Sequence, residues 1–223
     1  MVHHQLYTDK LRYQKNITPT SPFPEWIETD RLSFKRLSPE TVPPKVLYES
    51  FNKNDGVDKY FTTRDSLGTT WEDVYMQYEE AEELWESRDF AFYGIFKQDS
   101  GAFIGFGTIE DVNFAREDCE IGIWLDKDEW GNGYAQERAE AFFEVIFTHL
   151  DLEYVKITVV AENEKSVHSV EKYMSQFGGS FDGILRNETY TPEDEIHDVY
   201  KWSISQEEYR DTDAEYDDEV NIW

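Results

Sequence analysis

The run Trp130-Gly131-Asn132-Gly133-Tyr134-Ala135-Gln136-Glu137 limits what this chain can fold into more than any other stretch. A strand-like segment, Cys119-Glu120-Ile121-Gly122-Ile123-Trp124-Leu125, precedes it. A helix-like segment follows, with apolar residues at Ala135, Ala139, Phe142, Phe143, Ile146 and Phe147. Two glycines free the main chain to present successive N–H groups. The helix behind them adds its unpaired N-terminal amides and the positive end of its dipole. Strand, glycine loop and helix together suit an anion, which points to a phosphate-bearing cofactor. A helix cap that happens to hold two glycines is the competing reading. No Lys-Ser or Lys-Thr follows the loop, so it is not a Walker loop, and it lacks the third glycine of a dinucleotide fingerprint.

The downstream sequence adds context. Tyr154–Val160 reads as a second strand. Ala161-Glu162-Asn163-Glu164-Lys165-Ser166 opens an amphipathic helix with Val167, Val170, Tyr173, Met174 and Phe177 at spacings of three and four. Gly178-Gly179 stops it. Strand-like runs at Phe181–Arg186 and Ile196–Ile204 close the pattern.

On these residues the chain resembles the GNAT-type N-acetyltransferases, in the branch that holds the ribosomal-protein N-terminal acetyltransferases. The acetyl-CoA loop of that family reads Gln/Arg-x-x-Gly-x-Gly/Ala. Gly133 and Ala135 match it, and Trp130 stands at the leading position, as is common in the branch. The branch's Trp-Gly-x-Gly-Tyr-Ala-x-Glu fits Trp130 to Glu137, and its Asn-x-x-Ser fits Asn163 to Ser166. Its Thr-x-Arg-Leu fits Thr29 to Leu32, and its Asp-Val strand fits Asp198-Val199. The likeness spans roughly residues 26–205, and four ordered motifs are far more specific than one loop. The chain departs from the branch at Phe177-Gly178-Gly179-Ser180-Phe181, where a single Gly-Phe is usual.

The resemblance implies an α/β (mixed α+β) fold: a mostly antiparallel sheet of six to seven strands, with splayed central strands and about four flanking helices. It implies acetyl-CoA as co-substrate and a primary amine as acceptor, either a peptide N-terminus or a small amine. The amides of Trp130, Gly131, Asn132, Gly133, Tyr134 and Ala135 would take the pyrophosphate. Main chain of Ile123, Trp124 and Leu125 would line the pantetheine gap and polarise the thioester carbonyl. Asn163 would contact the cofactor arm, although it is also a natural helix cap. Ser166 would hydrogen-bond or protonate the CoA sulfur. Glu120 lies on the strand that carries a general base in several members. Alternation puts it on one face with Gly122 and Trp124, and apolar Trp124 would favour a base working near neutrality. In a chain with 48 Asp and Glu, a plain surface acid competes with that role. Dimers are common in the branch, so a homodimer is an expectation.

Net charge sets further bounds. The chain of 223 residues carries 48 acids against 21 Lys and Arg, a net charge of −27. That argues against nucleic acid and anionic membrane as partners. The acids are dispersed, which favours solvation in very high salt, as in a halophile, over a dedicated cationic partner. Asp126, Asp128 and Glu129 stand just before the loop and would repel an anionic cofactor, and Lys127, Arg138, Lys165 and Lys172 are the nearby cations by sequence. Aromatics at 16% supply a core despite the charge. The single Cys119 reads as a packed thiol, and the histidines show no metal-ligand spacing, so no metal is assigned. Without a signal-peptide pattern or a long apolar run, the chain reads as cytoplasmic.

The organisation expected is a locally basic arm at 1–25, an acetyltransferase domain at 26–205 and an acidic tail at 206–223, loosely held after about Tyr209. Residues 26–37 read as one strand, Ser38-Pro39-Glu40 as a helix start, and 90–97 with 102–110 as a hairpin. From Thr70 to Arg88 a helix shows Trp71, Val74, Tyr75, Tyr78, Ala81, Leu84 and Trp85 on one face. Three functions fit these features: an acetyl-CoA-dependent N-acetyltransferase, a catalytically idle acyl-CoA-binding or regulatory module, and an interaction protein using the aromatic stripe at 71–85.

Overall fold

A computed structural model of the chain describes residues 12–13, 21–53, 60, 70–190 and 195–215. Among the described residues nine strands form one sheet in the order β1-β2-β3-β4-β5-β6-β7-β9-β8. They are β1 (Arg12–Tyr13), β2 (Trp26–Glu28), β3 (Leu32–Arg36), β4 (Ala91–Lys97), β5 (Phe103–Asn113), β6 (Asp118–Leu125), β7 (Tyr154–Val160), β8 (Ser180–Tyr190) and β9 (Ile196–Ser205). Every pairing is antiparallel except β6 with β7. The helices are α1 (Pro44–Lys53), α2 (Trp71–Ser87), α3 (Tyr134–Glu144, prolonged by a π turn over Val145–His149), α4 (Glu164–Phe177) and α5 (Gln206–Glu215).

The strand count exceeds the expected six to seven for two local reasons. The single strand anticipated at 26–37 is a hairpin, broken where the Thr29 amide bonds the Leu32 carbonyl at 2.9 Å. The arm adds β1, which pairs with β2. The arm also enters the core at its end, contrary to the boundary drawn at residue 25. Phe23 is 2% exposed and tilts against Trp85 at 5.5 Å, and the Tyr93 hydroxyl donates to the Pro24 carbonyl.

Two other boundaries move. Helix α1 starts at Pro44, because two prolines without N–H suit a first turn, and Ser38 instead forms a polar turn with Thr41. Residues 206–215 of the expected tail are a helix, and 216–223 lie outside the described residues. Tyr209 is buried against Phe143, Phe147 and Phe177, which anchors it. That gives five helices among the described residues.

Alternation on the strands divides the core in two. Cys119, Ile121 and Leu125 of β6 join a larger cluster with α3 and α4, including Phe142, Phe143, Tyr173 and Met174. Trp124 faces the other way, into a smaller cluster with Phe51, Phe106, Val74 and Tyr78 under α1 and α2. Helix α2 is fixed by a Thr70–Asp73 capping box and ends on Arg88 in the left-handed region. Val74, Tyr78, Ala81 and Trp85 are buried as the stripe required, while Trp71 and Tyr75 at its start are exposed. Trp71 stacks instead on Tyr48 at 4.5 Å.

Candidate active site

The site begins where two strands part. β6 and β7 pair only over Asp118↔Tyr154, Cys119↔Val155 and Glu120↔Lys156, whereas β6 stays paired with β5 as far as Leu125. A gap therefore opens beyond Glu120. The Asp126 amide bonds the Ile104 carbonyl at 2.9 Å, which fixes the phase of the β5–β6 ladder. In an antiparallel pair alternate residues bond across it. Glu120, Gly122 and Trp124 thus spend their main-chain groups on β5, and those of Ile121, Ile123 and Leu125 turn to the gap. The Trp124 main chain, expected to line the gap, turns instead to β5 by this phase, and its ring is buried against Phe51 and Phe106. The Leu125 carbonyl is taken by the Trp130 indole N–H at 2.9 Å, leaving the Ile123 and Leu125 amides facing the opening.

The glycine loop caps that opening. Gly131 and Gly133 both sit at φ +79°, a conformation that costs other L-residues about 1–2 kcal/mol. A Cβ on Gly131 would meet nothing within 4 Å, and one on Gly133 only Arg31 Nη2 at 3.5 Å, so backbone angle rather than crowding fixes glycine here. The Trp130 amide donates to the Lys127 carbonyl at 3.3 Å, so the donor set expected from Trp130 onward starts at Gly131. The first return bond of α3 runs from the Glu137 amide to the Gly133 carbonyl at 3.1 Å. The amides of Gly131, Asn132, Gly133, Tyr134, Ala135 and Gln136 find no main-chain acceptor among the described residues. Six adjacent donors at a helix start fit a diphosphate.

Two motifs far apart in sequence brace this loop as one unit. Glu137 accepts from the Thr29 hydroxyl at 2.5 Å, the Arg31 amide at 2.9 Å and Arg31 Nε at 2.6 Å. Arg31 Nη1 donates to the Asn132 carbonyl at 2.9 Å, and the guanidinium lies 4.9 Å from the Tyr134 ring centroid. The acids ahead of the loop are also matched. Asp126 accepts from the Ser50 hydroxyl at 2.6 Å, Asp128 pairs with Lys53 at 2.6 Å and Glu129 pairs with Lys97 at 2.7 Å. Lys53 and Lys97 were invisible to local sequence reading because they come from α1 and β4. Lys165 lies over the Trp130 ring at 4.5 Å, as its sequence position allowed. Arg138 does not serve the loop: it is 1% exposed inside the α3 core, and its Nε and Nη1 have no hydrogen-bond partner.

Beside the gap, the sheet face shared with Trp124 carries a polar floor. Glu110 on β5 lies directly across from Glu120 on β6. The Thr158 hydroxyl of β7 donates to Glu120 at 3.0 Å, and Lys201 Nζ of β9 lies 3.9 Å away. Glycine is required at 122 by close approach, since a Cβ there would come within 2.4 Å of Thr108 Oγ1 and 3.1 Å of Glu110 Oε1. The carboxyl tuned toward neutrality is Glu110. Burial, then the charges of Glu120 and Asp111, push it up to about 7, against the opposing pull of Arg138 and a bond with Thr108. Trp124 does share the face of Glu120, but Gly122 separates them and the indole packs elsewhere. Sequence reading missed Glu110 because its importance comes from cross-strand register. The cue available was Thr108-x-Glu110 alternating on the neighbouring hairpin strand.

Across the gap, Asn163 caps α4: its side-chain oxygen accepts from the Ser166 amide at 3.3 Å. Ser166 is half-buried in the first turn, and His168 is exposed. Tyr173 is buried in the core, where it bonds Arg138, and burial raises its hydroxyl. Cys119 is a packed thiol, pushed up by burial.

Residues 31–173 match the model of the acetyltransferase (GNAT) domain, and the chain belongs to that family. An N-acetyltransferase, p20, of Bacillus licheniformis is 30% identical over 105 residues, which are 47% of this chain. That alignment spans about half, 54%, of the relative's own length. Among solved structures, spermidine N-acetyltransferase of Vibrio cholerae, in complex with CoA and spermine, superimposes with a TM-score of 0.65 at 19% identity. The match covers 80% of this chain and 98% of that one. Ribosomal-protein-S5-alanine acetyltransferase of Vibrio fischeri gives 0.69 at 14% identity, covering 82% and 98%. At such identities these likenesses establish the fold, a GNAT sheet with helices on both faces.

Proposed function

We propose that the protein transfers an acetyl group from acetyl-CoA to a primary amine. The observation that carries this reading is the parting of β6 and β7 between six open amides on one side and the Glu110–Glu120 floor on the other. Gly131 to Ala135 would hold the pyrophosphate, and the Ile123 and Leu125 amides would line the pantetheine path. When bound, the cofactor supplies the activated acetyl thioester. An Ile123 N–H aimed into the gap is suited to stabilise negative charge on a carbonyl oxygen. Asn163 orders the α4 turn, and the Ser166 hydroxyl would bond the cofactor sulfur.

Two carboxylates on the floor favour an acceptor that arrives as a cation, which both a peptide N-terminus and a small polyamine satisfy. The motif set of the ribosomal-protein branch favours the N-terminus, and spermine in a structural neighbour keeps small polyamines as the second reading. An idle CoA-binding module would not need a matched carboxylate pair. The acidic surface accords with a cytoplasm of high salt. A homodimer would find its surface at β8, an edge strand exposing Phe181, Ile184, Leu185 and Tyr190.

The test is release of free CoA at high salt with a panel of peptides, polyamines and amino acids. Turnover with at least one amine is expected. Tight acetyl-CoA binding without release on any amine would favour the idle module instead.

A further inference from the structure

We propose that Glu110, on the strand next to Glu120, is the group that takes the proton from the incoming amine. This rests on the acetyl-transfer reading above and assigns a proton acceptor within it.

Position comes first. Glu120 is the last β6 residue paired with β7, and Glu110 lies directly across from it on β5, so both sit at the level where the gap begins. The Glu120 oxygens are already engaged, by the Thr158 hydroxyl at 3.0 and 3.3 Å and by Lys201 Nζ at 3.9 Å. Glu110 has the Thr108 hydroxyl beside it and, across the strand, the missing side chain of Gly122. Glu110 Oε1 lies beside Thr108 Oγ1 in the space that a Gly122 side chain would take, on the same sheet face as Glu120.

Charge comes second. The charges that act on Glu110 are those of Glu120 on β6 and Asp111 on its own strand, opposed by that of Arg138 on α3. Lys201 on β9 faces Glu120, and Tyr173 on α4 bonds Arg138. Burial and the two acids outweigh the single cation, so the Glu110 carboxyl is raised to about 7. A base with that affinity is half ionised near neutral pH, where proton transfer is most efficient.

The protons and electrons balance. An alkylammonium gives one proton to the Glu110 carboxylate, leaving a neutral amine and a carboxylic acid. The nitrogen lone pair attacks the thioester carbon and a C–N bond forms. The C–S bond breaks with its electron pair going to sulfur, and the second N–H proton ends there as the thiol. Glu110 then returns its proton to water.

The experiment compares wild type, Glu110→Gln and Glu120→Gln from pH 5.5 to 9, reading CoA release with the amine panel. A 13C-carboxyl NMR titration of the folded protein runs alongside. Wild-type kcat/KM is expected to rise with pH and level off above about 7. Glu110→Gln should lower kcat about a hundredfold, and its rate should follow the free-amine fraction alone, so the break near 7 moves up to the acceptor's own pKa, about 8 for a peptide N-terminus and about 10 for a polyamine. Glu120→Gln should raise KM and keep the levelling. One carboxyl resonance should titrate near 7 and vanish in Glu110→Gln. A Glu110→Gln variant that keeps the break near 7 and kcat within about threefold overturns the proposal, as does loss of that break in Glu120→Gln alone. Should no amine release CoA from wild type, the acetyl-transfer reading fails, and the NMR titration still judges Glu110: no carboxyl near 7 sinks it.

Discussion

Replacing Glu110 by Gln changes stability in a pH-dependent way whose size follows from its surroundings. Burial and two neighbouring acids raise this carboxyl from 4.5 to about 7. The folded state therefore holds the proton more tightly than the unfolded chain. Below pH 4.5 both states are protonated and the group costs nothing. As pH rises from 4.5 to 7 the unfolded chain ionises first, and stability is lost across that window. Above 7 the full penalty is present: holding the carboxyl at about 7 instead of 4.5 corresponds to about 3 kcal/mol. Gln has nearly the same shape and cannot ionise, so the variant escapes this penalty. Urea unfolding of both proteins at pH 4.5 and pH 8.5, at one fixed high salt concentration, measures it. The stability difference between variant and wild type should move in favour of the variant by about 2–3 kcal/mol between the two pH values. The large background of other acids cancels in the comparison. Parallel pH dependence in the two proteins would refute the reasoning, because it would mean Glu110 ionises as freely folded as unfolded.

Three further outcomes are expected. Arg31→Ala removes the bonds to Glu137 and Asn132, and because Arg31 is half exposed the loss is discounted to about 1 kcal/mol, seen as roughly fivefold weaker acetyl-CoA binding by calorimetry. Arg138→Met exchanges a buried guanidinium with two unpartnered nitrogens for an apolar chain of similar length, so the melting temperature should hold or rise; it should also move the Glu110 titration upward, since Arg138 holds it down. At a net charge of −27, acetyl-CoA should bind more tightly in molar KCl than at low salt, and unchanged affinity in a titration of folded protein would count against electrostatic repulsion as the barrier.

Local chemistry was legible in the sequence, and long-range pairing was not. The glycine loop, the α3 and α4 periodicities, the Asn163 cap and the hairpin at 91–113 follow from residue spacing and turn residues, and all are present. What failed depended on partners distant in the chain. Lys53 and Lys97 neutralise the acids before the loop from elements that sequence distance hides. Glu110 acquires its character from β5–β6 register, which one strand cannot reveal. Tyr209 converts an acidic stretch into a docked helix by packing against three aromatic rings from two other helices, Phe143 and Phe147 on α3 and Phe177 on α4. Thr29 broke a strand for the same kind of reason: its turn serves Glu137, more than a hundred residues on.

That last connection links ligand binding to the far edge of the sheet. The hairpin that clasps Glu137 continues directly into β3, which is laced to β4 from Leu32↔Lys97 to Arg36↔Tyr93. A molecule that grips the Gly131–Ala135 amides also immobilises the turn behind them. By mass action, saturation at a hundred times Kd lends the folded state about 2.7 kcal/mol. Part of that gain should appear as slower hydrogen exchange at Ile27 to Phe34.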